Sequence, residues 1–279
     1  MIPDNKLKLH ISWWNINKRF YVFEKNKKEL NIPMFGHDDM IFVSETNLGY
    51  DALPTFKDYA LIADSSMKSC SHGGIAWYVK HSLAKHVFQV VYNTAFISFR
   101  IDTVPEVVFI GVYIQPEGGR YFNVNMFSDL GALLVEYQEK GITPFVGGDF
   151  NSRPGDLQKV GSNQSWIYEK NKDEKTNKHG LTYFKDMCFV GDVKPVNGLK
   201  YRGKTFDNNF TFLRQNGKSQ IDFCLTNADG RTKIREFTII SNDWHLSDHR
   251  PITLVVELDM NPSAACLLER VLELRIYDI

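Results

Sequence analysis

The sequence predicts an α+β protein built as a layered sandwich. Many short β-rich runs are separated by turn residues, few stretches carry helical periodicity, and the two kinds do not alternate strictly. That pattern favours packed, mainly antiparallel sheets over a doubly wound parallel sheet. In chain order, residues 7–16 (LKLHISWWNI) place Leu7, Leu9, Ile11 and Trp13 on one side, as a half-buried strand does. Residues 18–32 are basic and mixed and allow a helix. Met40–Thr46 is an apolar strand ending on Glu45, and Asp58–Ile62 allows a short one. In Ser69–Lys80 a Gly pair feeds a strand. HVFQVV, AFISFRI and EVVFIGVYI follow at short spacing and read as an antiparallel meander. Residues 125–140 form the clearest helix, with Met126, Leu130, Leu133, Leu134 and Tyr137 on one face and Gly141 just past its end. FVGGDFN is the next strand. Residues 158–180, polar and Lys/Asn-rich, read as a surface loop or weak helix. Asn208–Leu225 carries a hairpin signal, with Asn216-Gly217 as the type I′ dipeptide. EFTIIS and PITLVVEL are strands on either side of NDWHLSDHR, and residues 261–279 suit an amphipathic helix behind Pro262.

The 279 residues are 43% apolar and 13% aromatic, enough for a substantial core. Net charge is zero, which excludes a strongly basic shell. The charge is uneven, however. Lys/Arg outnumber Asp/Glu seven to three in residues 1–35 and fifteen to eight in 159–235, whereas residues 36–158 carry eight against fourteen. A basic face beside an acidic pocket suits a polyanion held by metal ions, and it also suits plain solvated surface. The four cysteines are scattered without a CxxC pair, which reads as reduced thiols in an intracellular protein. No apolar run approaches membrane-spanning length, so no membrane association is expected.

Six strand ends or following loops carry a polar group that local structure does not require. These are Asn15, Glu45, Tyr113, Asp149 with Asn151, Asp222, and Asp248 with His249. Singly, most have a structural explanation. Asn15 can cap the next segment, Glu45 can be an exposed strand-end charge, and Tyr113 can be a rim aromatic. Asp149 and Asn151 can form an Asx-turn, and Ser247-Asp248-His249 can be a loop cap. Asp222, between apolar strand residues, needs a partner. Their recurrence at the ends of different strands points to one site, and metal-assisted phosphodiester hydrolysis is the chemistry that fits. A hard divalent cation takes oxygen ligands. Glu45 is the leading ligand, with Asp248, Asn15 or Asp149 nearby. Asp149 would orient the attacking water, and Asn151 and Tyr113 would donate hydrogen bonds to the phosphoryl oxygens. His249 needs an orienting carboxylate, which Asp222 can supply.

WN, SET, VYIQP, GGDFNSRPGD, QIDF and LSDHRPI, in this order, resemble the endonuclease/exonuclease/phosphatase superfamily over roughly residues 7–258. The resemblance implies a four-layered α/β/β/α sandwich of two mainly antiparallel sheets flanked by helices. Residues 1–258 would be the catalytic domain and 259–279 a helical tail or the start of a linker. It also implies Mg²⁺ as cofactor, with Mn²⁺ able to substitute, and catalytic roles for Asn15, Glu45, Tyr113, Asp149, Asn151, Asp222, Asp248 and His249. HGGIAWYVK and FTFLRQNGKSQID are similar to stretches of the endonuclease domains of non-LTR (LINE-type) retrotransposon polyproteins. That likeness implies nicking of double-stranded DNA to leave a 3′-hydroxyl. It also implies a reverse transcriptase domain in the same polyprotein and a nuclear site of action. Thr211, Arg214, Lys218 and Ser219 would then face the nucleic acid, although Arg214 and Lys218 also fit solvated hairpin charges. Asn17 stands where many AP repair enzymes carry a carboxylate. AP endonuclease, 3′ exonuclease or deadenylase activity, and a non-catalytic nucleic-acid-binding module, are the alternatives.

Overall fold

The computed structural model describes residues 6–17, 20, 34–64, 73–161, 165–241 and 247–259. The helices expected over 18–32 and 261–279 lie outside these residues, apart from Phe20. Among the described residues are seventeen strands: β1 (Lys6–Asn15), β2 (Met40–Ser44), β3 (Tyr59–Ile62), β4 (Ile75–Lys80), β5 (Val87–Tyr92), β6 (Phe96–Ile101), β7 (Val107–Tyr113), β8 (Thr143–Asp149), β9 (Ile167–Tyr168), β10 (Lys194–Pro195), β11 (Leu199–Tyr201), β12 (Lys204–Thr205), β13 (Phe212–Arg214), β14 (Gly217–Ser219), β15 (Asp222–Thr226), β16 (Ile234–Ile239) and β17 (Ile252–Asp259). The α-helices are α1 (His81–Ala84), α2 (Asn125–Glu139), α3 (Lys185–Val190) and α4 (Ala228–Lys233), and a π-helix spans His179–Phe184.

Two six-stranded sheets carry the fold, in orders β16-β17-β1-β2-β4-β3 and β10-β15-β8-β7-β6-β5. Each has one parallel pair at its centre, β1 with β2 and β7 with β8, flanked by antiparallel neighbours. The four central strands therefore end at one edge of the sandwich. The antiparallel neighbours β15 and β17 begin at that same edge, since Asp222 pairs with Asp149 and Ile252 with Trp13. This is why strand ends, rather than strand middles, hold the polar residues.

The alternation on β1 sends Leu9, Ile11 and Trp13 into the core between the sheets and Trp14 to the opposite face. β7 and β8 are buried along their whole length, which explains their unbroken apolar runs. On the outer side of the second sheet, Met126, Phe127, Leu130, Leu134 and Tyr137 of α2 are buried; Leu133 is only half-buried. Gly141 follows the helix with φ +68. The outer side of the first sheet is covered by an aromatic layer in which Phe35 stacks on Phe56 at 3.7 Å and meets Tyr78 edge-on.

The structure departs from the sequence expectation in two places. Among the described residues of 158–180 the loop is anchored as well as solvated: Trp166, Asn171, Asp173 and His179 are buried, whereas Lys172, Glu174, Lys175 and Lys178 are exposed. The hairpin is also shorter than its signal. β13 and β14 pair Arg214 with Gly217, leaving Gln215-Asn216 at the tip, and neither these two nor Gly217 has positive φ. A type I′ turn needs positive φ at both central residues, so the turn is of another kind.

The first glycine of GGDFN is demanded by sheet packing. A Cβ on Gly147 would lie 2.3 Å from the Trp13 ring, whose Nε1 donates to Ile110 O across the sandwich at 3.3 Å. Gly147→Ala is expected to destabilise the fold by about 1–3 kcal/mol through overpacking. Urea unfolding measures it, and stability equal to wild type would mean the Trp13 ring gives way freely.

Candidate active site

Asn15 ends β1, Glu45 follows β2, Tyr113 ends β7, Asp149 ends β8, Asp222 opens β15, and Asp248 and His249 precede β17. Hydrogen bonds join them. The Asn15 amide Nδ2 donates to Glu45 Oε1 at 3.0 Å and to Asp149 Oδ2 at 2.9 Å. Tyr113 OH donates to the same Glu45 oxygen at 2.8 Å. Asn151 closes an Asx-turn, its N–H on Asp149 Oδ1 at 2.8 Å, while its Nδ2 reaches Ile114 O at 2.8 Å and Asp149 Oδ2 at 3.2 Å. Asn15, Asp149 and Asp222 are all buried.

His249 sits between two carboxylates. Its Nδ1 contacts Asp222 at 3.0 and 3.2 Å, and its Nε2 lies 3.8 Å from Asp149 Oδ2. Neighbouring elements fix the ring and backbone: Trp14 Nε1 donates to His249 O, Ser247 Oγ donates to Asn15 O, and Phe212 meets the imidazole edge-on at 5.0 Å. Burial would by itself lower the His249 pKa. The charges of Asp222, Asp149 and Asp248 outweigh it and raise the value to about 10. Burial, together with the Asp222 charge, pushes Asp149 up to about 7, against the lowering pull of His249 and the Asn15 and Asn151 hydrogen bonds.

Asp248 joins the cluster through Asn17, which sequence reasoning noted only as a departure from repair enzymes. Asn17 Nδ2 donates to Asp248 Oδ1 at 2.9 Å, and its N–H donates to Asn15 Oδ1 at 3.0 Å. Arg214 Nε donates to the other Asp248 oxygen at 2.7 Å. Asn17, Glu45 and Asn151 all have positive φ, at 43, 53 and 46°. For residues other than glycine this costs about 1–2 kcal/mol each, and such strain gathers at functional sites. Of the residues expected to face nucleic acid, Arg214 and Lys218 are exposed on the hairpin. Thr211 and Ser219 are buried: Thr211 Oγ1 accepts from the N–H groups of Ile221 and Asp222, which fixes the start of β15.

The donor set fits a hard divalent cation. Glu45, Asp222 and Asp248, joined by Asp149 when it is ionised, bring more negative charge than His249 and Arg214 offset, so the site keeps a negative excess. Ligand atoms of Asp149, Asp222 and His249 also lie within 4.8 Å of one another. Asp222 is already committed to His249, and among the described residues no such group of three includes Glu45 or Asp248.

Residues 12–249 match the family described as "Endonuclease/Exonuclease/phosphatase family". No curated protein matches the chain. Among solved structures, the chain is similar to the AP endonuclease LMAP from Leishmania major, with a TM-score of 0.66 and 14% identity, over 89% of this chain and 87% of that one. It is similar to the APE2 catalytic domain from Xenopus laevis, at 0.65 and 14%, over 90% and 93%. It is also similar to the 3′ phosphatase NExo from Neisseria bound to a product DNA hairpin, at 0.63 and 15%, over 88% and 98%. At these identities the likeness shows the shared two-sheet sandwich.

The raised pKa of His249 has a sign that can be tested. A histidine raised from 6.5 to about 10 stabilises the fold fully below 6.5, and that contribution is lost as pH climbs through about 10. The imidazole is expected to titrate near pH 10 by NMR, and Asp222→Asn is expected to lower that value. A wild-type titration near 6.5 would show that the carboxylates do not hold the ring as a cation.

Proposed function

The chain belongs to the endonuclease/exonuclease/phosphatase family, and from that premise we propose that it is a Mg²⁺-dependent phosphodiesterase that nicks double-stranded DNA. The observation that carries this reading is the hydrogen-bonded chain Tyr113–Glu45–Asn15–Asp149, closed by the His249–Asp222 pair. A divalent cation held by Glu45, with Asp248 and Asn15, would neutralise charge on the phosphoryl and leaving oxygens, and Mn²⁺ would serve as well. The protein supplies the rest. His249, kept cationic by Asp222, presents Nε2 to a phosphoryl oxygen. Asp149, with a pKa poised near neutrality, accepts the proton of the attacking water. Asn151 and Tyr113 donate to the charge that develops on phosphorus-bound oxygens.

The hairpin supports DNA as the substrate. Phe212 touches the His249 ring and Arg214 touches Asp248, so β13 and β14 stand beside the proposed site with Arg214 and Lys218 exposed. Such cations would bind phosphates and make affinity salt-dependent. In the finer reading the nick leaves a 3′-hydroxyl for a reverse transcriptase domain of a longer non-LTR retrotransposon polyprotein, acting in the nucleus. It rests on the HGGIAWYVK and FTFLRQNGKSQID resemblances. The AP endonuclease or 3′ exonuclease reading is the second, favoured by the similar structures, which carry those names.

Supercoiled plasmid is expected to be nicked in Mg²⁺ and left intact in EDTA, and His249→Ala is expected to lose at least about 10²-fold in rate. Nicking by His249→Ala at the wild-type rate would sink the mechanism. Preferential cleavage of an abasic-site duplex or a recessed 3′ end over intact plasmid would select the second reading.

A further inference from the structure

The stretch from Asn171 to Gly180 is polar in composition, yet Asn171, Asp173, His179 and Gly180 are buried and Asn177 is half-buried beside the site, and no catalytic step uses it. Asn177 does most of the joining. Its Nδ2 donates to Asn151 O at 2.8 Å, its Oδ1 accepts from the N–H groups of Arg153 and Gly180 at 2.8 Å each, and its own N–H donates to Arg153 O at 3.1 Å. Gly180 abuts the same turn so closely that a Cβ there would lie 2.2 Å from the Arg153 carbonyl carbon. The Arg153 guanidinium forks onto Asp173, with contacts of 3.0 and 2.6 Å, and Asp173 Oδ2 also accepts the Gln220 N–H at 2.9 Å. Gln220 lies two residues before Asp222. One short segment thus grips the turn after Asp149 at one end and the approach to Asp222 at the other.

Asn151 needs such a grip. Its left-handed backbone at φ 46 is held only where the surroundings over-determine it. Its N–H donates to Asp149, its Nδ2 donates to Ile114 O and Asp149, and its carbonyl accepts from Asn177, so the orientation of its amide depends on these neighbours.

We propose that Asn177 is the positioning residue that holds Asn151 in place, with Arg153 and Asp173 tying the same brace to the Asp222 strand. The inference rests on the proposed function, because it assigns Asn177 a part in catalysis through Asn151. A buried segment of purely structural purpose would affect stability and leave the distribution of loss between kcat and KM unspecified. A positioning role predicts that the loss appears in kcat and runs through Asn151.

The test uses the full chain on supercoiled plasmid with Mg²⁺. Asn177→Ala is expected to lower kcat by about 10²-fold with KM nearly unchanged, and to add no further loss when Asn151 is already Ala. Asn177→Asp keeps the acceptor for Arg153 and Gly180 but sets an oxygen against the Asn151 carbonyl. It is expected to be as slow, with a melting temperature near that of wild type, so misfolding does not explain the loss. Hydrogen exchange at residues 150–152 is expected to quicken in both variants. Wild-type nicking by either variant, an equal loss with and without the Asn151 side chain, or unchanged exchange at 150–152 would overturn the inference. Wild-type protein that leaves plasmid intact would count against the proposed function alone, and the exchange measurement would still decide the role of Asn177.

Discussion

Two buried carboxylates stand directly opposite each other on adjacent strands, and the rest of the site follows from that constraint. Asp149 and Asp222 are partners in the antiparallel register of β8 and β15, and both are almost wholly shielded from water. Like charges within about 5 Å cost about 3 kcal/mol at an effective dielectric near 20. Such a pair persists only with positive charge beside it. His249 supplies one, held between them by Trp14, Ser247 and Phe212. Asn15 adds an amide donor to Asp149, and Thr211 fixes the backbone from which Asp222 projects. The cluster remains negative after these contributions, and the proposed cation-assisted reaction on a phosphodiester would use the surplus.

The sandwich makes this concentration of charge possible. Each sheet has a parallel pair at its centre and antiparallel neighbours outside it, so the polar residues of six strand ends distant in sequence reach one edge. Behind them the core is tightly filled, with Trp13 pressed onto Gly147 and Phe109 stacked on Phe145 at 5.5 Å. The strained backbones of Asn17, Glu45 and Asn151 sit at the boundary between that rigid core and the cleft. Packing that cannot deform on one side, and loops on the other, let the side chains hold positions that a free chain would leave.

Much of this was legible in the sequence because strands announce themselves by alternation or by unbroken apolar runs. The polar residue at one end of each run then stands out, as Asn15 and Asp149 do at the close of β1 and β8 and Asp222 at the start of β15. The helix at 125–139 was equally plain from its spacing. The brace at 171–180 was not, because Asn171, Asp173 and Asn177 are satisfied by Arg153 and by backbone groups distant in sequence, and composition alone reads such residues as solvated. The hairpin turn misled for a related reason. Its register is set from outside, by Leu213 N–H on Asp248 O and by the bridge from Phe212 to His249, so Asn216-Gly217 does not take the turn its dipeptide favours. Thr211 and Ser219 looked like surface contacts but are enclosed by the same packing. No pattern within one segment could reveal Asn17, whose partner Asp248 is 231 residues away.

The claim on which the account turns is that the negative surplus at this edge is a cation site. Calorimetric titration of Mn²⁺ into the protein tests it without any substrate. The account predicts saturable binding that weakens at least about tenfold in Glu45→Gln, in line with the loss of a charged oxygen ligand. Absence of binding to wild type, or binding untouched by Glu45→Gln, would contradict it.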